Sequence, residues 1–399
     1  MINEKLFAEF VDFITINNID PRDLETNVSI NEVKALLKRS PTSAKIIKEA
    51  GVSTSEVADS MSGNVLMENL AKDVNAVLQK TGNAELIGNI IYCQFPTRDF
   101  NASTFKLDSG FVVLLNKGLF QFLSKFSRLF IVMMESTAAD EDGPFPAPGS
   151  TDKLSLTTTM LSFLILNRVG LVSDEMVQRE IIDNVSEYQS WDHANLLIRS
   201  NLLQGIEFFV FLHEISHITK GHLSSTENFN VIEDGIATIS KRHNNIEFEA
   251  DASSFDYMVE HYGAETVHKY FEYADFLVEN KYNVSLETIT KKFGKDSKKL
   301  LEISGGNNPE IYFGCVPVFF FIADLLDHAY KEMGIINSGT HPHPQDRIDN
   351  FISHFKNSIM KEGAVTPRTV SGILDTIELV ADPIKSLLSK MIKEQSAES

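Results

Sequence analysis

Residues 202–222 read LLQGIEFFVFLHEISHITKGH, an apolar run with HEISH set into it as His213, Glu214, Ile215, Ser216 and His217. The run predicts a helix that is apolar nearly all round, with Ile206, Phe209, Val210, Phe211, Leu212, Ile215 and Ile218. Residues four apart on a helix differ by about 40° around the axis and about 6 Å along it, so both imidazoles leave one face and can close on one ion. Two neutral nitrogens at that separation suit zinc. Glu214 points toward the same pocket and can take a proton from a water whose pKa the ion has pulled down to about 7. Alone, HExxH is a weak signal in a chain with eleven histidines. Its apolar company strengthens it, because a glutamate buried between two histidines needs a partner, and a metal is the simplest one.

A catalytic zinc takes a third protein ligand and keeps a fourth position open. The segment EFEADASSFDYM, from Glu247 to Met258, offers that ligand if it forms a second helix. Glu247 and Asp251 then share a face, so Glu247 can coordinate while Asp251 accepts a hydrogen bond from the far nitrogen of a ligand histidine, fixing its tautomer. Glu249, on a different face, is the alternative ligand. The plain reading of these acids is a solvated first turn, where carboxylates are favoured anyway. A histidine as third ligand fits less well: HExxHxxGxxH is missed by one position, with Gly221 and His222 adjacent.

Taken together, these residues resemble the zinc metallopeptidases of the CAAX-prenyl-protease and HtpX type, within the gluzincins. Three stretches carry the resemblance: HEISHITKGH, whose His222 sits where that family often has a histidine that is not a ligand; Glu247–Asp251 as ExxAD; and THPHPQDRI at 340–348, similar to the family's THPPxxxRI, with His343 in place of the second proline. A weaker fourth is FNASTFKLDSGFVVLLNKGLFQFL from Phe100, similar to the family's Asn-Ala strand followed by a second strand and a helix. The resemblance implies an α+β fold, a mainly helical zincin-like core with a small antiparallel sheet beside the active-site helix. It implies one zinc ion on His213, His217 and Glu247, with Glu214 catalytic. His341 would lie near the zinc, stabilising an oxyanion or touching substrate, and Arg347 would be structural, paired with a buried acid. The chain departs from the pattern in the length of its span from Gly118 to Gly205, and members of the family often carry transmembrane helices.

Composition bounds the remaining choices. The 399 residues, 43% of them apolar, can supply a sizeable core. A formal charge of −19 argues against a nucleic-acid surface, which needs clustered Lys and Arg, and ordinary solubility accounts for it. Cys93 and Cys315, in apolar settings far apart, read as buried thiols in a reducing compartment rather than a disulfide framework. The N-terminal MINEKLFAEFVDF has acids inside its apolar run, unlike a secretory signal. Apolar runs such as Val316 to Ile322 fall short of the ~18 residues a membrane span needs. A cytoplasmic protein without an integral membrane segment is the expectation.

Residues 1–84 show helical spacing at Leu6, Phe10, Phe13 and Ile14, with capping boxes expected at Ser29/Glu32 and Ser53/Glu56. This region either packs on the core or forms a recruiting or regulatory module. IIYCQF, FNASTF and GFVVLL read as strands. In a gluzincin-like fold the outer strand can hold an extended peptide, which makes Asn101 to Phe105 the candidate substrate strand, with Asn101, Ala102 and Ser103 as its binding residues; an ordinary core hairpin is the alternative. The acidic, Pro-rich 136–152 reads as a loop, either disordered or a lid. The expected layout is a helical region 1–84, a metallopeptidase domain 85–358 and a helical tail 359–399. The expected function is a zinc-dependent endopeptidase acting on a protein or peptide substrate, with no nucleic-acid partner; a zinc-stabilised, non-catalytic binding protein working through the N-terminal helices is the alternative. Oligomeric state is not legible.

Overall fold

Of the three strands expected between Asn89 and Asn116, all form, and they combine into a sheet of different topology from the antiparallel one expected. The computed structural model describes residues 2–17, 19–40, 44–45, 47–48, 53, 65–95, 97, 100–137, 150–177, 193–224, 230–233, 236–239, 244–280, 283–305, 308–335, 341–359 and 368–398. Most of these lie in helices. Strands β1 (Glu25–Thr26), β2 (Ile90–Phe95), β3 (Ala102–Leu107) and β4 (Gly110–Asn116) form one sheet in the order β1-β2-β4-β3. β4 lies parallel to β2, while β1–β2 and β3–β4 are antiparallel. The tight β3–β4 turn forces an antiparallel pair. The longer connection after Phe95 lets β3 pass outside, so β4 meets β2 pointing the same way and the sheet is mixed.

Two compact units divide the chain: Met1–Phe120 with Phe208–His261 and Gly339–His341, and Gln121–Glu207 with Tyr262–Ser338 and Pro342–Ser399. The expected boundaries at residues 84 and 358 are therefore not where the chain divides. The N-terminal helices belong to the first unit because their apolar faces are buried against its sheet. Leu6, Phe7, Phe10, Val11 and Ile14 of the Glu4–Ile16 helix, and Val33, Leu36 and Leu37 of Ile30–Arg39, share one core with Ile91, Cys93, Phe95, Phe105, Val112 and Leu114. Packing, the plainer of the two expected readings, describes these helices. The Ser29 hydroxyl caps the second of them by accepting from Glu32 N, but Glu32 closes no reciprocal box: its Oε1 accepts instead from Ile2 N at 2.6 Å.

Strand alternation gives this sheet two faces. Ser103 pairs with Leu114 and therefore points toward the N-terminal helices, whereas Ala102, Thr104, Tyr92 and Val113 line the other face. On that face the HEISH helix is seated, with Tyr92 and Phe211 ring centroids 4.8 Å apart. A second hairpin, β5 (Asn230–Glu233) with β6 (Ile236–Ile239), lies alongside β3.

The second unit is helical, and its longest buried element is Pro309–Glu332, against which Arg368–Glu398 and Pro344–Ile359 pack. The stretch expected to be a tail is thus a helix of that unit. Pro309–Glu332 is long and apolar enough to cross a membrane by length and composition, and most of it is buried within the protein. Gly205 brings the His193–Glu207 stretch close to it: a Cβ there would stand 2.6 Å from the Tyr312 carbonyl oxygen and 2.9 Å from Cys315 Sγ. Cys93 and Cys315 are free and buried. Glu56, residues 138–149 of the expected loop and Thr340 lie outside the described residues.

Candidate metal centre

His193–Thr219 is one helix, and within it Phe208–Thr219 belongs to the first unit. His213, Glu214, Ser216 and His217 are all buried there. Each polar group inside an apolar helix must find a partner, and each does. Ser216 Oγ donates to the Leu212 carbonyl at 2.8 Å and lies 3.3 Å from Ser254 Oγ. The Thr104 hydroxyl donates to Glu214 Oε2 at 2.7 Å.

The two imidazoles meet as their spacing requires, Nε2 to Nε2 at 3.1 Å. Glu247, on the helix Asn244–Tyr262, is fully buried and turns its carboxylate to both: Oε2 lies 3.3 Å from His213 Nε2 and Oε1 lies 3.6 Å from His217 Nε2. Two imidazole nitrogens and a carboxylate facing one another are satisfied by a proton held between them or by a cation. Without an ion the proton sits on His213. Burial pulls its pKa down, but hydrogen bonds to Asp251 and Glu247 outweigh burial and raise it to about 9. Burial pushes the other way on Glu247, and the charges and hydrogen bonds of His341 and His213 hold its carboxyl well below the ordinary range.

The same three groups could hold a metal ion; their ligand atoms all lie within 4.8 Å of one another. Ligands at about 2.0–2.1 Å in a tetrahedral array stand about 3.3 Å apart, and the two imidazole nitrogens, 3.1 Å apart, with a Glu247 oxygen 3.3 Å from His213 Nε2, are near that spacing.

Asp251 lies one turn along from Glu247, with Oδ1 2.9 Å from His213 Nδ1, the nitrogen turned away from His217 and Glu247. Glu249 is outside the cluster, its Oε2 3.3 Å from His222 Nε2. His341 reaches the cluster through Glu247, with Nδ1 2.8 Å from Glu247 Oε2 and its ring partly exposed. Arg347 belongs to the second unit, where it is buried with its guanidinium 4.5 Å over the Phe320 ring. Of the expected substrate strand, Asn101 accepts from Ala102 N through Oδ1, and Ser103 Oγ is buried with no hydrogen-bond partner among the described residues.

Three contacts were not visible in the sequence: that of Thr104 with Glu214, and those of His222 with His217 and with Glu249. His222 Nδ1 lies 2.9 Å from His217 Nδ1. It gets there because the helix ends at Thr219 and Gly221 takes φ +71°, turning the chain back so that the next ring returns over the last turn. The Gly-His pair was the one available signal. Thr104 lies in the expected strand, but nothing in sequence marks its contact with Glu214, which depends on how that strand lies across a helix. In comparisons with known proteins, the chain matches no family model, no curated protein and no solved structure.

Proposed function

We propose that the chain is a zinc-dependent endopeptidase. The observation that carries this reading is the convergence of His213, His217 and Glu247 beside a buried, aligned Glu214. Two imidazoles and one carboxylate are a donor set of catalytic zinc. A divalent ion bound by them supplies Lewis acidity toward a carbonyl and lowers the pKa of water to about 7.

The chain's own groups supply the rest. With Oε2 of Glu214 engaged by the Thr104 hydroxyl, Oε1 is the oxygen that accepts a proton from the attacking water and passes it to the leaving amine. His341 steadies Glu247 through Nδ1 and presents its exposed edge to the substrate. β3 is an outer strand of its sheet. Because Asn116 N donates to the Asn101 carbonyl, alternation directs the backbone groups of Ala102 and Thr104 away from β4, to an edge that an extended peptide would share with the neighbouring β5–β6 hairpin.

Glu214→Gln keeps the size and the hydrogen bond but cannot take the proton, so cleavage of an unfolded protein should fall by about 100-fold or more with metal content unchanged. Zinc-loaded parent protein that leaves unfolded proteins and peptides intact would instead support the non-catalytic binding reading, and a Glu214→Gln protein cleaving at the parental rate would remove Glu214 from the mechanism.

A further inference from the structure

The two ligand histidines are backed differently. His213 has a buried carboxylate directly behind it, Asp251. Behind His217 stands another imidazole, His222, and behind that a carboxylate, Glu249, whose side chain is 54% exposed. We infer that His222 and Glu249 form an ordered relay that positions His217 for metal binding. The inference rests on His213, His217 and Glu247 holding an ion, and it is independent of whether the site hydrolyses anything.

Coordination fixes the direction of the relay. With His217 Nε2 giving its lone pair to the ion, the neutral ring carries its proton on Nδ1. That proton faces His222 Nδ1 at 2.9 Å, which must then be the acceptor. A neutral His222 with Nδ1 unprotonated carries its proton on Nε2, and Nε2 faces Glu249 Oε2 at 3.3 Å. Every hydrogen bond in the line has one donor and one acceptor only in this arrangement. Outer-shell acceptors of this kind hold the ligand ring in place and increase its basicity. Gly221 is what makes the relay buildable, since its left-handed backbone aims His222 back at His217. Lys220 Nζ, 3.8 Å from Glu249 Oε1, adds a surface charge at the far end. The backing of His213 is sealed in the interior, whereas that of His217 ends where solvent reaches it.

The test is chelator competition for zinc with the full-length chain, joined to nitrogen NMR of its histidines. His222→Leu removes both ends of the relay and should weaken zinc binding on the order of 10- to 100-fold. His222→Gln, whose amide oxygen can accept from His217 and whose amide nitrogen can donate to Glu249, should recover most of that loss. Glu249→Gln should cost about threefold, because its charge is half in water. In the zinc-loaded parent protein, His222 should be protonated on Nε2 and not on Nδ1. A His222→Leu protein binding zinc within twofold of the parent, or an Nδ1-protonated His222 in the loaded parent, overturns the relay while leaving the metal site standing. A parent protein that takes up no zinc overturns both.

Discussion

Each unit contains a deeply buried stretch of helix, and the two are made by opposite rules. In Pro309–Glu332 of the second unit the buried side chains are apolar or aromatic except for Glu310, which sits in the first turn where its Oε2 accepts from Thr369 N at 3.1 Å. In Phe208–Thr219 of the first unit, two histidines, a glutamate and a serine are buried among phenylalanines and isoleucines. The first arrangement avoids burying polar groups. The second accepts them and gathers two imidazoles and a buried carboxylate into one cluster that could hold a cation. That cluster, more than the HExxH pattern, sets this stretch apart from an ordinary core.

Glu207 sharpens the contrast, since it lies on the same helix as Glu214 and is equally buried. Thr104 meets Glu214, whereas Glu207 has no hydrogen-bond or ion-pair partner among the described residues, and burial alone raises its pKa from 4.5 to about 7. The folded chain therefore binds a proton more tightly than the unfolded one between those values. Stability is lost as pH rises from 4.5 through 7, and the full loss is present above 7. Glu207→Gln should be more stable than the parent at pH 8 by about 3 kcal/mol at most, and about equal at pH 4. Denaturant midpoints at the two pH values measure this; a difference that does not change with pH would mean that Glu207 is charged in the fold.

The same sign of pH dependence applies at His213, whose pKa is also raised, but there the fold favours the charged form rather than penalising it. Its protonated form contributes stability to the metal-free protein below its ordinary 6.5, and that contribution is lost as pH rises through about 9. A metal must expel the same proton. Apparent zinc affinity should thus fall about tenfold for each pH unit below 9, or about 100-fold from pH 9 to 7. Titration calorimetry in buffers of different ionisation enthalpy would count the proton released, and a binding constant flat across that range would show that His213 is already neutral.

How much of this was legible in sequence follows the range of the interactions. His213 with His217, and Glu247 with Asp251, were readable because helical period fixes which side chains share a face. The strands were readable as strands, but not as a mixed sheet, because β4 meets β2 through pairing that no local pattern encodes. For the same reason the N-terminal helices were readable as amphipathic, but not as one face of the site's own sheet. The missed relay is the instructive case. Adjacent Gly221 and His222 excluded a histidine third ligand on spacing, yet that one-residue offset is what sends His222 behind His217 rather than into the ligand cluster.

The smallest expected effect concerns the groups around the proposed base. If buried polar side chains in Phe208–Thr219 are there to be aligned rather than merely tolerated, removing one aligning donor should damage turnover more than folding. Thr104→Val keeps the shape of the side chain and deletes the hydroxyl that engages Glu214 Oε2. A net hydrogen bond to a charged group is worth about 1.5 kcal/mol, so kcat should fall about tenfold with zinc content and KM unchanged. Thr104→Ser, which restores the donor, should recover it. A Thr104→Val protein with parental kcat would mean that Glu214 is held in place by its helix alone, and the contrast between the two buried stretches would then concern only the metal ligands.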